Sequence, residues 1–111
     1  MKVKTQIDPG VCNFETIVTA ETEDGQNVSF TFVSECDTIK EFGKQIEEIS
    51  PIDAIGTLSP EENPILSKAR KLLQAKGCCD ACVVPAATVK TMQVAANLAL
   101  PKDVSLTIRK E

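Results

Sequence analysis

Apolar and polar side chains alternate along two neighbouring stretches near the start of the chain, a pattern typical of β-strands. The apolar or β-branched positions are Phe14, Thr16, Val18 and Ala20 in the first stretch, and Val28, Phe30 and Phe32 in the second. Asp24-Gly25 lies between the stretches and is a strong signal for a two-residue hairpin loop. We therefore predict a β-hairpin in which the numbers of opposed residues sum to about 49.

The same alternation predicts a strand near each end of the chain. The opening strand covers residues 3–7 and is ended by the turn signal Asp8-Pro9-Gly10. The closing strand carries its apolar side chains at Val104, Leu106 and Ile108. We expect both strands to join the hairpin in one antiparallel sheet.

Apolar residues spaced three or four positions apart predict three helices between the hairpin and the closing strand. The first begins at Asp37, where Thr38 and Glu41 have the spacing of a capping box. Its apolar stripe is Ile39, Phe42, Ile46 and Ile49. A short helical turn is expected next, through Ile52, Ile55 and Leu58, followed by a connector at residues 59–64.

The second and third helices flank the last cysteines. Gly77 suits the end of the second helix, and Pro85 suits the first turn of the third, which is expected to run to about Leu98. Their apolar stripes are Ile65, Leu66, Ala69, Leu72 and Leu73 in the second helix, and Val89, Met92, Gln93 and Ala96 in the third. The elements together predict an α+β fold, in which an antiparallel sheet of the hairpin plus N- and C-terminal strands carries the helices on one face.

Length and charge limit the function. A chain of 111 residues with 42% hydrophobic and 25% charged residues suits one domain spanning 1–111. The net charge is −4 and the basic residues are interspersed with acidic ones, so we expect no nucleic-acid partner. The start of the chain lacks the apolar run of a signal peptide and no stretch approaches transmembrane length, so we expect a cytoplasmic protein without a membrane partner.

The five cysteines fall at three places, each at the boundary of a predicted element: Cys12, Cys36, and the group Cys78, Cys79 and Cys82. The hairpin should place Cys12 beside Cys36, with Cβ atoms roughly 4.5 to 8 Å apart. Cys36 and Cys82 each precede a helix N-terminus, which favours a thiolate over a thiol. In a reducing compartment, grouped thiolates are more often metal ligands or redox groups than structural disulfides.

The order of these elements resembles the iron–sulphur scaffold proteins of the NifU/IscU kind, whose three ligand cysteines lie at the same boundaries. It also resembles the four-cysteine TSCPD domain. The resemblance covers roughly residues 9–98 and implies that Cys12, Cys36 and one of Cys78, Cys79 or Cys82 are ligands. The sequences around residues 9–14 and 98–104 look more closely like a family of small proteins from anaerobic bacteria and methanogens that has no established activity. Unlike the scaffold proteins, this chain has Phe14 two residues after the first cysteine, where they have aspartate, and no histidine.

Three functions from different classes remain open. The leading hypothesis is a metal-binding protein without catalysis of its own, which holds zinc or an iron–sulphur cluster on Cys12, Cys36 and Cys82 plus Cys78 or Cys79. An incompletely ligated site would make it a scaffold or carrier for other metalloproteins, and a site shared across a homodimer is also compatible with three or four cysteines. The second hypothesis is a thiol–disulfide redox protein that uses Cys79 and Cys82. The third is a metal-free interaction module whose cysteines are packing residues.

Overall fold

A β-sheet with helices on one of its faces forms the body of the molecule. The computed structural model describes residues 1–58, 62–75 and 78–111, apart from the side chain of Cys78. Within these residues the sheet has four antiparallel strands, in the spatial order β1 (Lys2–Ile7), β2 (Thr16–Glu21), β3 (Asn27–Ser34) and β4 (Ile52–Asp53). The helices are α1 (Asp37–Ile49), α2 (Pro64–Gln74) and α3 (Val84–Ala95), with short 3₁₀ turns at Gly56–Leu58 and Cys78–Ala81. The predicted α+β fold is confirmed.

The hairpin register differs by one residue from the predicted one. Thr16 lies opposite Ser34 and Ala20 lies opposite Phe30, so the numbers of opposed residues sum to 50. The sum has to be even, because both strands carry their core side chains at even-numbered positions. A slip of one residue would turn the core face of one strand towards solvent. The predicted sum of 49 was therefore wrong, and the connecting loop is longer than two residues.

The carboxylate of Asp24 organises this longer loop. It accepts hydrogen bonds from the backbone N–H groups of Gln26 (2.9 Å) and Asn27 (2.8 Å), from the side-chain amide of Asn27 (2.8 Å) and from the Thr22 hydroxyl (3.2 Å). These bonds, above all the one from the Asn27 side chain, hold the pKa of Asp24 well below its ordinary value. Gly25 adopts φ +75°, as the Asp-Gly signal requires. The signal marked the turn correctly, but side-chain hydrogen bonding set its length.

Helices α1 and α3 pack on the sheet, and α2 packs on both of them. The stripes of α1 and α2 largely follow the prediction: Ile39, Phe42, Ile46, Ile65, Ala69 and Leu73 are buried, Ile49 and Leu72 are half-buried, and Leu66 is exposed. Asn63 caps α2 by accepting a hydrogen bond from the Ile65 backbone N–H at 2.9 Å. The predicted capping box of α1 does not form, because Cys36 is the N-cap and its side chain makes no capping hydrogen bond.

The buried face of α3 is rotated from the predicted stripe and includes two threonines. Thr88 and Thr91 are 0% and 2% exposed, whereas the predicted Val89 and Gln93 are only half-buried. The Thr88 hydroxyl donates to the Val84 carbonyl at 2.8 Å, and the Thr91 hydroxyl lies 2.7 Å from the Ala87 carbonyl. A threonine that bonds to the preceding helical turn leaves its methyl group to pack, so the hydroxyl is satisfied inside the core.

The predicted C-terminal strand is wrong for the single chain. Residues 101–111 form neither helix nor strand, and Val104, Leu106 and Ile108 are 65%, 73% and 91% exposed. The fourth strand is instead Ile52–Asp53, which pairs with the start of β3. The helical turn expected across residues 52–58 is thus limited to Gly56–Leu58. Gly77 and residues 59–61 of the connector before α2 lie outside the described residues.

Helix α1 approaches the sheet closely at Gly43. A Cβ atom at this position would lie 2.7 Å from both the Cβ and the Cγ of Phe32. The Phe32 ring in turn packs edge-on against Phe42, with 5.7 Å between ring centroids. The absence of a side chain at Gly43 therefore sets how closely α1 approaches β3.

Replacing Gly43 by alanine should destabilise the protein by about 1–3 kcal/mol, because the added methyl group forces Phe32 or the helix to move. In an exposed helix the same change would stabilise by about 1 kcal/mol. Urea unfolding of Gly43→Ala measures the difference, and Lys44→Ala, on the exposed side of α1, is the control that should change stability little. A Gly43→Ala variant at least as stable as the original chain would contradict this packing.

Candidate metal centre

Cys12 lies in the turn that joins β1 to β2. The Asp8 side chain accepts a hydrogen bond from the Gly10 backbone N–H at 3.0 Å, and the Asn13 N–H donates to the Gly10 carbonyl at 3.0 Å. Gly10 and Asn13 both have positive φ, at 85° and 60°. These bonds fix the turn predicted from Asp8-Pro9-Gly10 and leave the Cys12 thiol free and exposed at its apex.

Cys36 is held at the junction between β3 and α1. Its carbonyl accepts the first hydrogen bond of α1 from the Lys40 N–H at 2.9 Å. Its own N–H donates to the Ser34 hydroxyl oxygen at 3.1 Å, and that oxygen also accepts a hydrogen bond from the buried Thr16 at 2.9 Å. The Cys36 side chain is half-buried against the core. Hydrogen bonds therefore hold its backbone, and packing holds its side chain.

Cys82 lies between the 3₁₀ turn and α3. Its N–H donates to the Cys79 carbonyl at 3.1 Å, and the Val84 N–H donates to its sulphur. The thiol is half-buried against the core and borders an open cleft of about 360 Å³ between α2 and α3, which Arg70 and Asp80 also line. Cys82 is therefore partly shielded from water and still reachable from one side.

The pKa of Cys82 shows that three elements converge here. Burial raises this pKa above its ordinary value of 9.0, and negative charge on Cys12 and on Cys36 raises it further, while the hydrogen bond from Val84 opposes the shift. Cys12 and Cys36 thus lie within electrostatic range of Cys82, although the three residues come from a loop, a helix cap and the junction between the 3₁₀ turn and α3. The expectation that the helix N-terminus makes Cys82 a thiolate was wrong in its net direction, because desolvation outweighs the helix contribution.

The corner is not arranged as a finished metal site. Within the described part of the chain, no group of three or more cysteine, aspartate or glutamate side chains is placed so that it could hold a metal ion. Cys12 and Cys36 also do not face each other in the β-ladder, which ends at the Thr16–Ser34 pair. Cys79 is half-buried against the core in the 3₁₀ turn that precedes Cys82, and the side chain of Cys78 lies outside the described residues.

A match to a known family spans almost the whole molecule, from residue 3 to residue 108. The chain belongs to the Family of unknown function DUF6951. No curated protein and no solved structure matches it. The resemblance of this DUF6951 chain to iron–sulphur scaffold proteins and to the TSCPD domain stays a prediction, as do its metal and its partners. In the described residues, no helix is both long enough and apolar enough to cross a membrane.

Sequence reasoning missed the two residues that hold Cys36 in place, Thr16 and Ser34. Thr16 was assigned only to a strand, although it is fully buried in this DUF6951 member and its hydroxyl needs a partner. The available signal was Ser34, two residues before Cys36, since a serine hydroxyl often accepts the backbone N–H two positions later. The Thr16 bond to Ser34 depends on the sheet register and had no signal in the sequence.

Replacing Ser34 by alanine should destabilise the protein by about 1–3 kcal/mol, because the buried Thr16 hydroxyl and the Cys36 N–H both lose their acceptor. The same variant should make the Cys36 thiol react faster with a maleimide, since the cap is no longer held. Chemical unfolding and labelling followed by mass spectrometry measure the two effects. Ser29→Ala, an exposed position on the same strand, is the control. Unchanged stability in Ser34→Ala would show that this hydrogen-bond chain has no role.

Alkaline pH should weaken the fold through Cys82. Because its pKa is raised in the folded state, its contribution to stability is complete below pH 9.0 and is lost as the pH rises through the higher folded-state value. Urea unfolding at neutral and at alkaline pH should show a smaller loss of stability in Cys82→Ala than in the original chain. Val83→Ala, which trims the adjacent half-buried side chain and removes no titrating group, should keep the original pH dependence. Equal pH dependence in Cys82→Ala and the original chain would contradict the assignment.

Proposed function

We propose that this DUF6951 protein binds a thiophilic metal centre, either a zinc ion or an iron–sulphur cluster, at the corner formed by Cys12, Cys36 and Cys82. The observation that carries the proposal is the electrostatic coupling of Cys82 to both other thiols. Cys12 and Cys36 both lie within electrostatic range of Cys82, although at least 24 positions in sequence separate any two of the three. Cysteines that serve only as packing residues would not be expected to cluster from three separate elements.

The raised pKa of Cys82 is also more compatible with metal binding than with redox catalysis. A nucleophilic redox cysteine needs a lowered pKa so that the thiolate is present near neutral pH. The pKa of Cys82 is shifted the opposite way. A metal ion removes this difficulty, because it displaces the protons of its ligands and its positive charge offsets the repulsion among neighbouring thiolates.

The positions of the thiols suit a site that closes when the metal binds. Cys36 and Cys82 are half-buried at the ends of packed elements, whereas Cys12 is exposed on the turn between β1 and β2. Binding would draw Cys12 inward and complete a three-thiolate set. Three protein ligands leave a coordination position open on a tetrahedral ion, which suits delivery of the metal to a recipient protein. Cys78 or Cys79 as a fourth ligand would give a closed structural site.

Cobalt(II) titration of the reduced protein under argon tests the proposal. We expect one cobalt per site, a thiolate-to-cobalt charge-transfer band, and displacement of cobalt by zinc with release of protons. Cys12→Ser, Cys36→Ser and Cys82→Ser should each weaken binding by about 100-fold or more, since loss of a ligand costs at least as much as loss of an outer-shell partner. Val11→Ser, at an exposed position next to Cys12, is the matched control and should bind normally.

Two results would contradict the proposal. One is the absence of a charge-transfer band in a protein whose thiols are all reduced. The other is a band that persists in all three serine variants, because the metal would then bind elsewhere. Parallel titrations of Cys78→Ser and Cys79→Ser decide whether the 3₁₀ turn supplies a fourth ligand, and reconstitution with iron and sulphide decides between the two occupants.

A further inference from the structure

The C-terminal segment has the sequence pattern of a β-strand, but it pairs with no strand in the described structure and has no buried face. Val104, Leu106 and Ile108 alternate with Ser105, Thr107 and Arg109, a period of two that is typical of a strand with one buried face. All three apolar side chains are at least 65% exposed. The family match continues to residue 108, so this segment belongs to the sequence that the family shares. A row of exposed apolar side chains on an extended segment marks a site that packs against another protein surface.

The sheet offers a free edge that fits such a strand. In the described residues β1 pairs only with β2, so the outer N–H and C=O groups of β1 have no strand beside them. Val3 and Thr5 face the helices and are half-buried. An open groove of about 620 Å³ runs along this edge, lined by residues 1–4 and 97–101 together with Val94. The β1 edge lacks a neighbouring strand, and the C-terminal segment lacks a sheet edge on which its apolar side chains could be buried.

We propose that the segment 103–109, hereafter the tail strand, pairs with the β1 edge of a second copy of the chain, so that two copies exchange their tail strands. On the partner sheet, Val104, Leu106 and Ile108 would continue the buried face of Val3 and Ile7 under α3. The polar row of the tail strand would continue the open face, where Lys2 and Lys4 are exposed. Seven extended residues span about 24 Å and the six of β1 about 20 Å, so the two lengths match.

Charge favours this exchange over direct pairing of two β1 edges. Lys2 and Lys4 on both copies would face each other in a β1-to-β1 pairing, and lysines on an edge strand oppose such contacts. The polar row of the tail strand instead carries one acidic and one basic residue, Asp103 and Arg109, so it adds no net positive charge beside the lysines. A single exchanged strand is a small interface, but two reciprocal ones bury on the order of 1,600 Å², the size of a standard specific interface.

The test is the oligomeric state of the untagged full chain, measured by sedimentation equilibrium with a thiol reductant and a metal chelator present. The reductant excludes disulfide-linked dimers and the chelator excludes dimers that share a metal, so the result does not depend on the metal proposal. We expect a particle of twice 12.0 kDa. Leu106→Lys should raise the dimer dissociation constant about 100-fold or more, because each dimer loses two buried leucines. Thr107→Lys, on the opposite face, should change it little.

Removal of residues 103–111 should give a folded monomer that keeps its helical circular dichroism, since these residues are exposed in the single chain and are not part of its core. A monomeric full chain would overturn the proposal. A monomer whose amides at 103–109 are protected from hydrogen exchange would assign the tail strand to the chain's own sheet and would overturn it equally. A dimer that survives both Leu106→Lys and the truncation would place the interface elsewhere.

Discussion

Burial of the even-numbered face of the β2–β3 hairpin is the constraint on which the rest of the structure depends. Val18, Ala20 and Val28 are completely buried on this face, and helices α1 and α3 cover it. The constraint fixes the register, because only an even pairing sum keeps both strands facing the helices. It also fixes the junction after β3: the strand ends at Ser34, and α1 must start at once for Ile39 and Phe42 to reach the core. Cys36 is the residue at that junction.

The location of the three thiols follows from this topology. The turn between β1 and β2 and the end of β3 bring Cys12 and Cys36 within electrostatic range of Cys82, which lies just before α3. Two effects compete at Cys82, where the backbone N–H of Val84 favours the thiolate while burial and the two other thiols oppose it. The opposing effects are stronger, so the pKa of Cys82 is raised above its ordinary value. A cation at this corner would reverse the balance, and that is the physical basis of the proposed metal centre.

Much of this could be read from the sequence, but only where the local pattern is decisive. The α1 stripe of Ile39, Phe42 and Ile46 and the turn at Asp8-Pro9-Gly10 are local signals, and both were predicted correctly. The hairpin loop was predicted too short because the four hydrogen bonds of Asp24 outweigh the preference of Asp-Gly for a two-residue turn. Thr88 and Thr91 were missed as core residues, since hydropathy does not register a hydroxyl that bonds to its own helix. Both Cys12 and Cys36 lie within electrostatic range of Cys82, but they do not form a pair in the ladder, which ends at Thr16 and Ser34.

The metal content of the protein purified without oxygen tests the central claim most directly. Zinc, iron and acid-labile sulphide would be measured per chain, in the original protein and in Cys82→Ser. We expect about one zinc per chain, or iron with matching sulphide, in the original protein, and a large loss of that metal in the variant. An original protein free of both metals, with its thiols reduced and unable to take up zinc, would contradict it.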